Sequence, residues 1–250
     1  MNLAEFAARL RSSNAVVFFT GAGISTESGV PDFRSPGGVW TKYQPVFFQD
    51  FMASEAARVQ HWQLKKATYE LFKSVKPNIG HYAIHEFEKR GQLLGLITQN
   101  IDGLHKLAGS SEAKLVELHG TDRWVTCLNC GKRFAPADVY EDWDKELPTP
   151  TCDVCGGFLK SANVSFGQSM PVEAMQRAQK WSEQADIFIV VGSSLQVQPA
   201  ASFPVIAKRS GALLAIINRD STPLDDLADF VHNGAIGDFF NQLRSTSLDS

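Results

Sequence analysis

The chain has 250 residues, of which 44% are hydrophobic and 20% charged, enough for one sizeable α/β core or for a core with a small additional module. Its formal charge of −3 provides no general attraction to nucleic acid or to anionic membranes, so nucleic acid is not expected as a partner. No apolar run approaches the ~18 residues that span a bilayer, and we expect a cytoplasmic protein that binds no membrane.

The first predicted elements are a helix and a buried strand. Apolar residues have helical spacing over residues 3–10, and the apolar run 15–19 predicts a strand. The strand opens onto a turn with glycines at Gly21 and Gly23, which would let the backbone turn tightly and bring its N–H groups close to an anion. A helix predicted to begin near Ile24 would add its positive N-terminal end. The turn is therefore interpreted as a phosphate-binding turn.

This turn departs from the usual dinucleotide fingerprint. That fingerprint has a third glycine three residues after the second, and a second strand within about thirty residues. Thr26 occupies the third position here, and the next convincing strand begins only at Leu93. A conventional hydride-transferring dehydrogenase is therefore disfavoured.

Further apolar runs recur along the chain, and most are continuously hydrophobic, as in strands buried on both faces of a parallel sheet. Helical patterns lie between them, including one over 174–185 after Pro171 and one that ends at Gly91. The alternation predicts an α/β fold with a Rossmann-like, doubly wound parallel sheet. The predicted strands are 15–19, 93–98, 114–118, 163–166, 186–192 and 212–217.

Two segments interrupt this alternation, a helix-rich insertion at 36–90 and a cysteine-containing module at 124–158. We expect them to form a smaller domain beside a Rossmann-like domain of residues 1–35, 91–123 and 159–250, which would bind the cofactor. A ligand cleft would lie between the smaller domain and the carboxyl ends of the parallel strands.

The four cysteines form two Cys-x-x-Cys pairs with residues 131–151 between them. This spacing is typical of a zinc ribbon, whereas two disulfides would be reduced in a cytoplasmic protein. A redox pair is the less favoured alternative, because the gap slightly exceeds the usual ribbon range. Four thiolates leave a zinc ion no open position for water, so the metal would be structural. The predicted ligands are Cys127, Cys130, Cys152 and Cys155.

Polar residues follow two of the predicted strands. Gln99, Asn100 and Asp102 come directly after the second strand, and His119 follows the third. Capping of a helix that begins at Leu104 is an alternative role for the asparagine and the aspartate. A histidine suits general-base catalysis because its unperturbed pKa lies near neutral pH. All four side chains would project into the proposed cleft.

The string from Gly21 to Arg34, the Gln-Asn-Ile-Asp motif at 99–102 and the His-Gly pair at 119–120 together resemble the sirtuins, the Sir2 family of NAD-dependent protein deacylases. The resemblance covers nearly the full chain, from residue 6 to 240, and implies a Rossmann-like domain with a helical and a zinc module. His81 lies within another segment that matches the family, and we interpret it as a structural or capping residue.

The resemblance implies that the protein cleaves the nicotinamide glycosidic bond of NAD and couples this to deacylation of a lysine. The acyl oxygen attacks C1′ of the ribose, His119 deprotonates a ribose hydroxyl, and water releases free lysine and 2′-O-acyl-ADP-ribose. Asn100 is the second implied catalytic residue. An oxocarbenium-like transition state needs positioning and exclusion of water, and Phe33 would provide an aromatic shield.

By the same resemblance, Ala22, Ser25 and Arg34 would serve the phosphates and ribose, with the guanidinium as a fixed fork for the pyrophosphate. The Gln-Asn-Ile-Asp motif would contact the ribose and line the nicotinamide pocket. Small residues after the strand 186–192 offer an anion nest. The implied NAD-binding residues are Gly21, Ala22, Gly23, Ser25, Thr26, Phe33, Arg34, Gln99, Asn100, Ile101, Asp102, Gly192, Ser193, Ser194 and Asn218.

The implied partners are acylated-lysine proteins or peptides, paired with main chain on both flanks. The implied substrate-binding residues are Val164, Phe166, Gly167 and Val197. The chain departs from the family pattern here, since Lys160-Ser161 stands where Arg-Pro is common and Gln168 replaces an acidic residue. These departures bear on peptide preference and leave cofactor binding untouched.

A further departure concerns the acyl group. Sirtuins that prefer succinyl or malonyl groups carry a Tyr-x-x-Arg pair, and the corresponding stretch here is Val39-Trp40-Thr41-Lys42. A carboxylate on the acyl chain would lack a bidentate partner. We therefore predict acetyl or other uncharged acyl groups.

Two other functional classes are compatible with parts of this pattern. A protein mono-ADP-ribosyltransferase would use the same NAD site, but it would leave ADP-ribose on protein instead of on the acyl group. A zinc-ribbon binding module without catalysis is disfavoured by the acidic balance and by the cleft motifs.

Overall fold

A computed structural model of the chain describes residues 1–32, 38, 44–143 and 148–246. Its strands fall into two sheets, a larger one of order β3-β2-β1-β7-β8-β9 and a smaller one of order β5-β4-β6. The strands are β1 (Val16–Thr20), β2 (Leu93–Thr98), β3 (Leu115–Glu117), β4 (Gly120–Cys127), β5 (Arg133–Phe134), β6 (Leu159–Asn163), β7 (Ile187–Val191), β8 (Leu213–Asn218) and β9 (Phe230–Asn233).

All pairings in the larger sheet are parallel, which confirms the predicted doubly wound architecture. The chain places β2 and β3 on one side of β1 and later returns to place β7, β8 and β9 on the other side. Such a reversal is the topological switch point at which open parallel sheets bind ligands. The carboxyl ends of β1 and β7 are therefore where a ligand is expected.

The helices separate the parallel strands and also form the long stretch before β2. The pattern over residues 3–10, the one that ends near Gly91 and the one over 174–185 are each confirmed as helices. The helices are α1 (Leu3–Ser12), α2 (Phe48–Ala53), α3 (Glu55–Ser74), α4 (Ile79–Lys89), α5 (Leu104–Leu107), α6 (Pro136–Tyr140), α7 (Val172–Gln184), α8 (Phe203–Arg209) and α9 (Ile236–Thr246). No helix within the described residues is long and apolar enough to cross a membrane.

Strand β1 shows why the sheet needs continuous hydrophobicity. Successive side chains of a strand point to opposite faces. Val16 and Phe18 accordingly join a core with α1, α4 and α9, whereas Val17 and Phe19 join a second core with α7 and α8. All four side chains are buried, so both faces of the strand are covered by helices.

The smaller sheet is antiparallel and has its own core. Strand β4 pairs with β5 on one side and with β6 on the other. A third hydrophobic cluster joins this sheet to α2, α3 and α6 through Phe51, Trp62, Val125, Tyr140 and Leu159. Strand β4 begins at residue 120, so the small sheet starts at the residue that follows the predicted catalytic His119.

The structure corrects the sequence prediction at three places. The strand predicted over 163–166 is wrong, because β6 ends at Asn163 and belongs to the small antiparallel sheet. Its buried positions include Lys160 and Ser161, which hydrophobicity does not reveal. The edge strand β9 was not predicted, since Phe230 is its one fully buried residue. The helix expected near Ile24 is a 3₁₀ segment, Ala22–Ser28.

Candidate active site

The turns that follow β1 and β7 are packed directly against each other. The N–H of Gly21 donates to Val191 O (3.0 Å), and the N–H of Gly23 donates to Gly192 O (2.8 Å). A Cβ atom at Gly21 would lie 2.7 Å from Gly192 O, so the close approach excludes side chains. Gly192 also has a φ of 66°, which favours glycine. The two N–H groups predicted to face an anion are thus already used within the protein.

The other residues of this turn are held by short local bonds. Ala22 and Thr26 lie in the 3₁₀ segment, and Thr26 Oγ1 donates to Gly23 O (2.9 Å). At its far side, Asn78 Nδ2 donates to Ile24 O at 2.7 Å. The segment is therefore fixed before any ligand binds.

Ser25 is the centre of a buried hydrogen-bond network at the ends of β1 and β2. Asn100 Nδ2 donates to Gly21 O (3.0 Å) and to Ser25 Oγ (3.2 Å), and Ser25 Oγ donates to Asp102 Oδ2 (2.7 Å). His81 Nδ1 accepts from the Asn78 N–H (3.2 Å), which leaves the ring proton on Nε2, 3.4 Å from Ser25 Oγ. The predicted structural role of His81 is confirmed by this capping bond.

Asp102 has the capping role that the sequence offered and a second bond within the network. Its Oδ1 accepts from the N–H of Leu104 (2.8 Å) at the start of α5, while its Oδ2 accepts from Ser25. Burial raises the pKa of Asp102, and the hydrogen bonds from Leu104 and Ser25 oppose that shift. Both carboxylate oxygens therefore act as acceptors in a nearly dry environment.

Gln99 connects the end of β2 to the end of β7. Its Nε2 donates to Ser193 Oγ at 2.7 Å, and Ser193 is buried next to the half-buried Ser194. Asn218 ends β8, one strand further along the sheet, and its Nδ2 donates to Asp220 O (2.7 Å). The carboxyl ends of four neighbouring parallel strands thus carry the predicted cofactor residues.

His119 has the geometry of a general base. Its Nδ1 lies 2.9 Å from the carbonyl oxygen of Gln99. Because a carbonyl can only accept, the proton of the neutral ring is on Nδ1 and the lone pair is on Nε2. Burial lowers the pKa of His119, and the bond to the Gln99 carbonyl partly opposes this shift. The half-buried imidazole is therefore neutral at neutral pH, with a lone pair on Nε2 that can accept a proton.

The predicted substrate segment, residues 164–167, is tied to the predicted base by the main chain. The N–H of Val164 donates to His119 O at 2.8 Å. At the other end, Phe166 O accepts from the Phe48 N–H (2.9 Å), and Gly167 follows with a φ of 78°. Phe166 is 43% exposed.

Val197 lies in the loop that follows β7, where its carbonyl accepts from the N–H of Ala201 (2.8 Å). It is half-buried. Ile101 is also half-buried, and its carbonyl accepts from the N–H of Asp122 (2.9 Å).

The four cysteine sulfurs form a compact cluster in which all Sγ atoms lie within 4.8 Å of one another. Cys127 Sγ is 3.5 Å from Cys155 Sγ, and Cys130 Sγ is 3.7 Å from Cys152 Sγ, so neither pair is a disulfide. Thiolates at ~2.3 Å from a tetrahedral zinc ion would be separated by about 3.8 Å. The donor set and its spacing therefore fit one structural zinc ion.

Sequence reasoning missed a set of buried partners behind the site. Thr20 Oγ1 donates to Thr98 Oγ1 (2.8 Å) and lies 3.0 Å from His105 Nε2. Arg123 Nε donates to the backbone carbonyl of Asp102. Burial lowers the pKa of His81 to about 4 and that of His105 well below its usual value, so both rings are neutral. Among these partners, only Thr20 and Thr98 could have been noticed in the sequence, because each is a polar residue at the end of an otherwise apolar strand.

Phe33, Arg34 and the stretch 39–42 lie outside the described residues. The remaining predicted cofactor and catalytic residues lie at the carboxyl ends of the parallel strands or in the turns that follow them. These are Gly21, Ala22, Gly23, Ser25, Thr26, Gln99, Asn100, Ile101, Asp102, His119, Gly192, Ser193, Ser194 and Asn218.

The fold and the site define an α/β protein with a glycine turn at the switch point of a parallel sheet, a neutral histidine beside it and a four-cysteine module. The profile of the Sir2 family matches residues 21–199. The chain belongs to the Sir2 family.

Its relatives cover almost the whole chain. It is 46% identical over 226 residues to an NAD-dependent protein deacetylase of Rhodopseudomonas palustris, covering 90% of this chain and 89% of that one. It is 39% identical over 240 residues to an NAD-dependent protein deacetylase of Thermotoga maritima, covering 96% of each. A solved structure described as "Sir2-p53 peptide-NAD+" superposes with a TM-score of 0.88 at 37% identity over the full length of both chains.

Proposed function

We propose that this Sir2 protein is an NAD-dependent protein-lysine deacetylase that releases nicotinamide and 2′-O-acyl-ADP-ribose. The observation that carries the proposal is the neutral His119, whose Nδ1 is held by the Gln99 carbonyl and whose own carbonyl is bonded to Val164. His119 is therefore hydrogen-bonded both to a predicted cofactor residue, Gln99, and to a predicted substrate residue, Val164. Relatives at 39–46% identity are named NAD-dependent protein deacetylases.

NAD would supply the nicotinamide leaving group and the ribose that accepts the acyl group. The residues at the carboxyl ends of β1, β2, β7 and β8 fit this ligand, because they combine small side chains with polar groups at the topological switch point. Phe33 and Arg34 are proposed to complete the site. The residues proposed to hold NAD are Gly21, Ala22, Gly23, Ser25, Thr26, Phe33, Arg34, Gln99, Asn100, Ile101, Asp102, Gly192, Ser193, Ser194 and Asn218.

His119 would take the proton of a ribose hydroxyl on Nε2. The Gln99 carbonyl stabilises the imidazolium that forms, because it accepts the proton that Nδ1 keeps. Asn100 is proposed as the second catalytic residue. Its side chain is fixed by Gly21 and Ser25, so its position costs no reorganisation during the reaction.

The acyl-lysine substrate would lie along Val164, Phe166 and Gly167, with Val197 on its other side. Support for this placement comes from the backbone bond between Val164 and His119 and from the exposure of the Phe166 ring. A solved Sir2 structure at 36% identity, with a TM-score of 0.87, is described as bound to a propionylated peptide. We propose uncharged acyl groups as substrates. Several-fold faster turnover of succinyl-lysine than of acetyl-lysine peptides would contradict this preference.

We further propose that residues 36–90 and 124–158 form a smaller domain beside an NAD-binding domain of residues 1–35, 91–123 and 159–250. The separate core under the small sheet supports this division. A structural zinc ion would be held by Cys127, Cys130, Cys152 and Cys155. A cytoplasmic location is proposed because all four cysteines are free thiols suited to zinc.

Transfer of ADP-ribose to protein is not favoured, since the relatives are named deacetylases. The test is incubation of the purified protein with NAD and an acetyl-lysine peptide. Nicotinamide release should depend on the peptide, and mass spectrometry should find ADP-ribose on the acetyl group. ADP-ribose on the protein or the peptide side chain would instead support a transferase, and nicotinamide release that ignores the peptide would contradict deacylation.

A further inference from the structure

Lys160 is a buried lysine close to the proposed substrate segment. It lies on β6 and is only 1% exposed. Its Nζ donates to Asn163 O (2.6 Å), Ser161 O (3.2 Å) and Asn163 Oδ1 (3.3 Å). Three acceptors match the three N–H bonds of an ammonium group, so the charged form is fully hydrogen-bonded. Two of the three bonds end on Asn163.

The carboxylate that acts electrostatically on Lys160 is already paired with another lysine. Asp122 is bonded to the neighbouring Lys65 at 2.7 Å, with both side chains buried. No ion pair of Lys160 is found within the part of the chain that the structure describes. Burial lowers the pKa of Lys160 to about 7, Lys65 acts in the same direction and Asp122 opposes both. Near pH 7 the amine is therefore about half protonated, and the protonated form is the one that can donate all three bonds.

The bonds of Lys160 act at an irregular part of the small sheet. Asn163 pairs with Gly120, and Ser161 pairs with Val125, so residues 121–124 form a bulge in β4. A bulge leaves ladder groups unpaired. The ammonium of Lys160 supplies the donor for the carbonyl of Asn163 at this interruption, and Ser161 Oγ donates to Asn163 Oδ1 at 2.7 Å.

Asn163 lies between the two groups that deacylation requires. Its pairing partner Gly120 follows His119, and the next residue, Val164, donates its N–H to His119 O at 2.8 Å. A shift of Asn163 would therefore move both the substrate segment and the backbone of the base. The turn at Gly21, on the proposed cofactor side, is held by its own backbone hydrogen bonds to the end of β7. It takes part in none of the bonds around Asn163.

We propose that Lys160 is a positioning residue for deacylation, whose buried ammonium fixes Asn163 and thereby the acyl-lysine segment that begins at Val164. This inference rests on the proposed deacetylase function. It adds a substrate-positioning role to a residue that contacts neither substrate nor cofactor. Since the bonds reach only the small-sheet side of the site, peptide recognition should depend on Lys160 and NAD recognition should not.

The test compares steady-state kinetics of Lys160→Met and Lys160→Arg with the wild-type protein, with peptide and NAD varied separately. Methionine keeps the chain volume but cannot donate, so the KM for an acetyl-lysine peptide should rise about tenfold, the factor typical of losing a hydrogen bond to a charged group. The KM for NAD should change less than about twofold, which is within the scatter of additive, distant sites. Arginine keeps a charge and several donors and should recover most of the peptide affinity.

A matched control is the double variant Lys65→Met/Asp122→Leu, which removes the neighbouring buried ion pair, neither of whose side chains bonds to Asn163. It should leave the peptide KM near the wild-type value. If Lys160→Met does not fold, Ser161→Ala is measured in its place. It removes one donor to Asn163 Oδ1 and should raise the peptide KM about threefold. Equal changes in both KM values, or an unchanged peptide KM, would overturn the positioning role. A wild-type protein without peptide-dependent nicotinamide release would instead overturn the deacetylase function itself.

Discussion

Two buried polar regions meet at His119, and they are built in opposite ways. The first lies at the ends of the parallel strands, where short neutral side chains bond to Asp102 and to the backbone. The second lies beside the bulge of the small sheet and contains Lys65, Asp122 and Lys160. We call them the strand-end network and the charged junction. The strand-end network has one carboxyl group among neutral donors, whereas the charged junction has three ionisable side chains, of which Lys65 and Asp122 form an ion pair.

The difference indicates that the two regions have different roles. Neutral, fully directed hydrogen bonds fix atoms without strong dependence on solvent or salt, which suits a site that must be ready before its ligand binds. Charges buried against a small sheet are costly and hold only while their partners are present. The strand-end network should therefore tolerate changes of solvent or salt that disrupt the charged junction.

The largest expected effect comes from the metal site under the small sheet. Cys127→Ala should remove zinc and unfold the small sheet, because a structural zinc site contributes apparent binding of about 10 to 16 kcal/mol. Zinc content and thermal unfolding are the measurements. Asp153→Ala, next to a ligand but exposed, is the control and should bind zinc normally. A normal melting curve and full activity in Cys127→Ala would rule out a structural metal.

Removal of the base tests the strand-end side of the comparison. His119→Ala should lower deacylation by about 10² to 10⁴, the usual contribution of a general base. Nicotinamide exchange should fall less, because the base acts after glycosidic cleavage in the proposed scheme. Both rates are measured with the same peptide, and melting curves control for folding. Equal loss of the two activities would show that His119 acts at a different step from the one proposed.

Breaking the buried pair tests the charged junction. Lys65→Met leaves Asp122 buried and unpaired, and it should lower the free energy of unfolding by about 3 to 5 kcal/mol. Lys65→Met/Asp122→Leu should recover most of that loss. The denaturant midpoints of both variants and of Asp122→Leu complete the cycle. If the double variant is no more stable than Lys65→Met alone, the cost does not come from the unpaired charge.

The smallest expected effect is on the pH profile. Burial lowers the pKa of His119, and the base form exists above that pKa, so kcat/KM for NAD, measured at saturating peptide, should rise with pH to a plateau with its midpoint below about 6.5. Lys160→Met should leave this midpoint unchanged, since the lysine bonds to Asn163 and not to the imidazole. A midpoint above neutral pH in the wild-type protein would contradict the assignment of a neutral base.

The sequence predicted the strand-end network well because its signals are local. Apolar runs located β1, β2, β7 and β8, and the polar residues that follow them had to meet at one edge of a parallel sheet. Of the two roles that the sequence left open for Asp102, the structure shows the cap, because Oδ1 accepts from Leu104; Oδ2 accepts from Ser25, and the cofactor role stays a prediction.

The charged junction could not be predicted in the same way. Lysines and aspartates are almost always exposed, so nothing local indicates that Lys65, Asp122 and Lys160 are buried together. The polar residues Lys160, Ser161 and Asn163 made β6 unrecognisable and moved its predicted position towards the more apolar Val164 and Phe166. Long-range pairing across a bulge decides their placement, and hydrophobic periodicity does not report it.

The direction of the hydrogen bonds around Ser25 has a chemical consequence for any molecule that reaches Asp102. Since Asn100 donates to the serine and the serine donates onward, the carboxylate receives protons from every side and gives none. A carboxamide could supply one more N–H to it, whereas an ionised acid or an ester offers only lone pairs and would meet repulsion. We therefore predict that Asp102 favours an amide over the ionised acid that hydrolysis would produce from it.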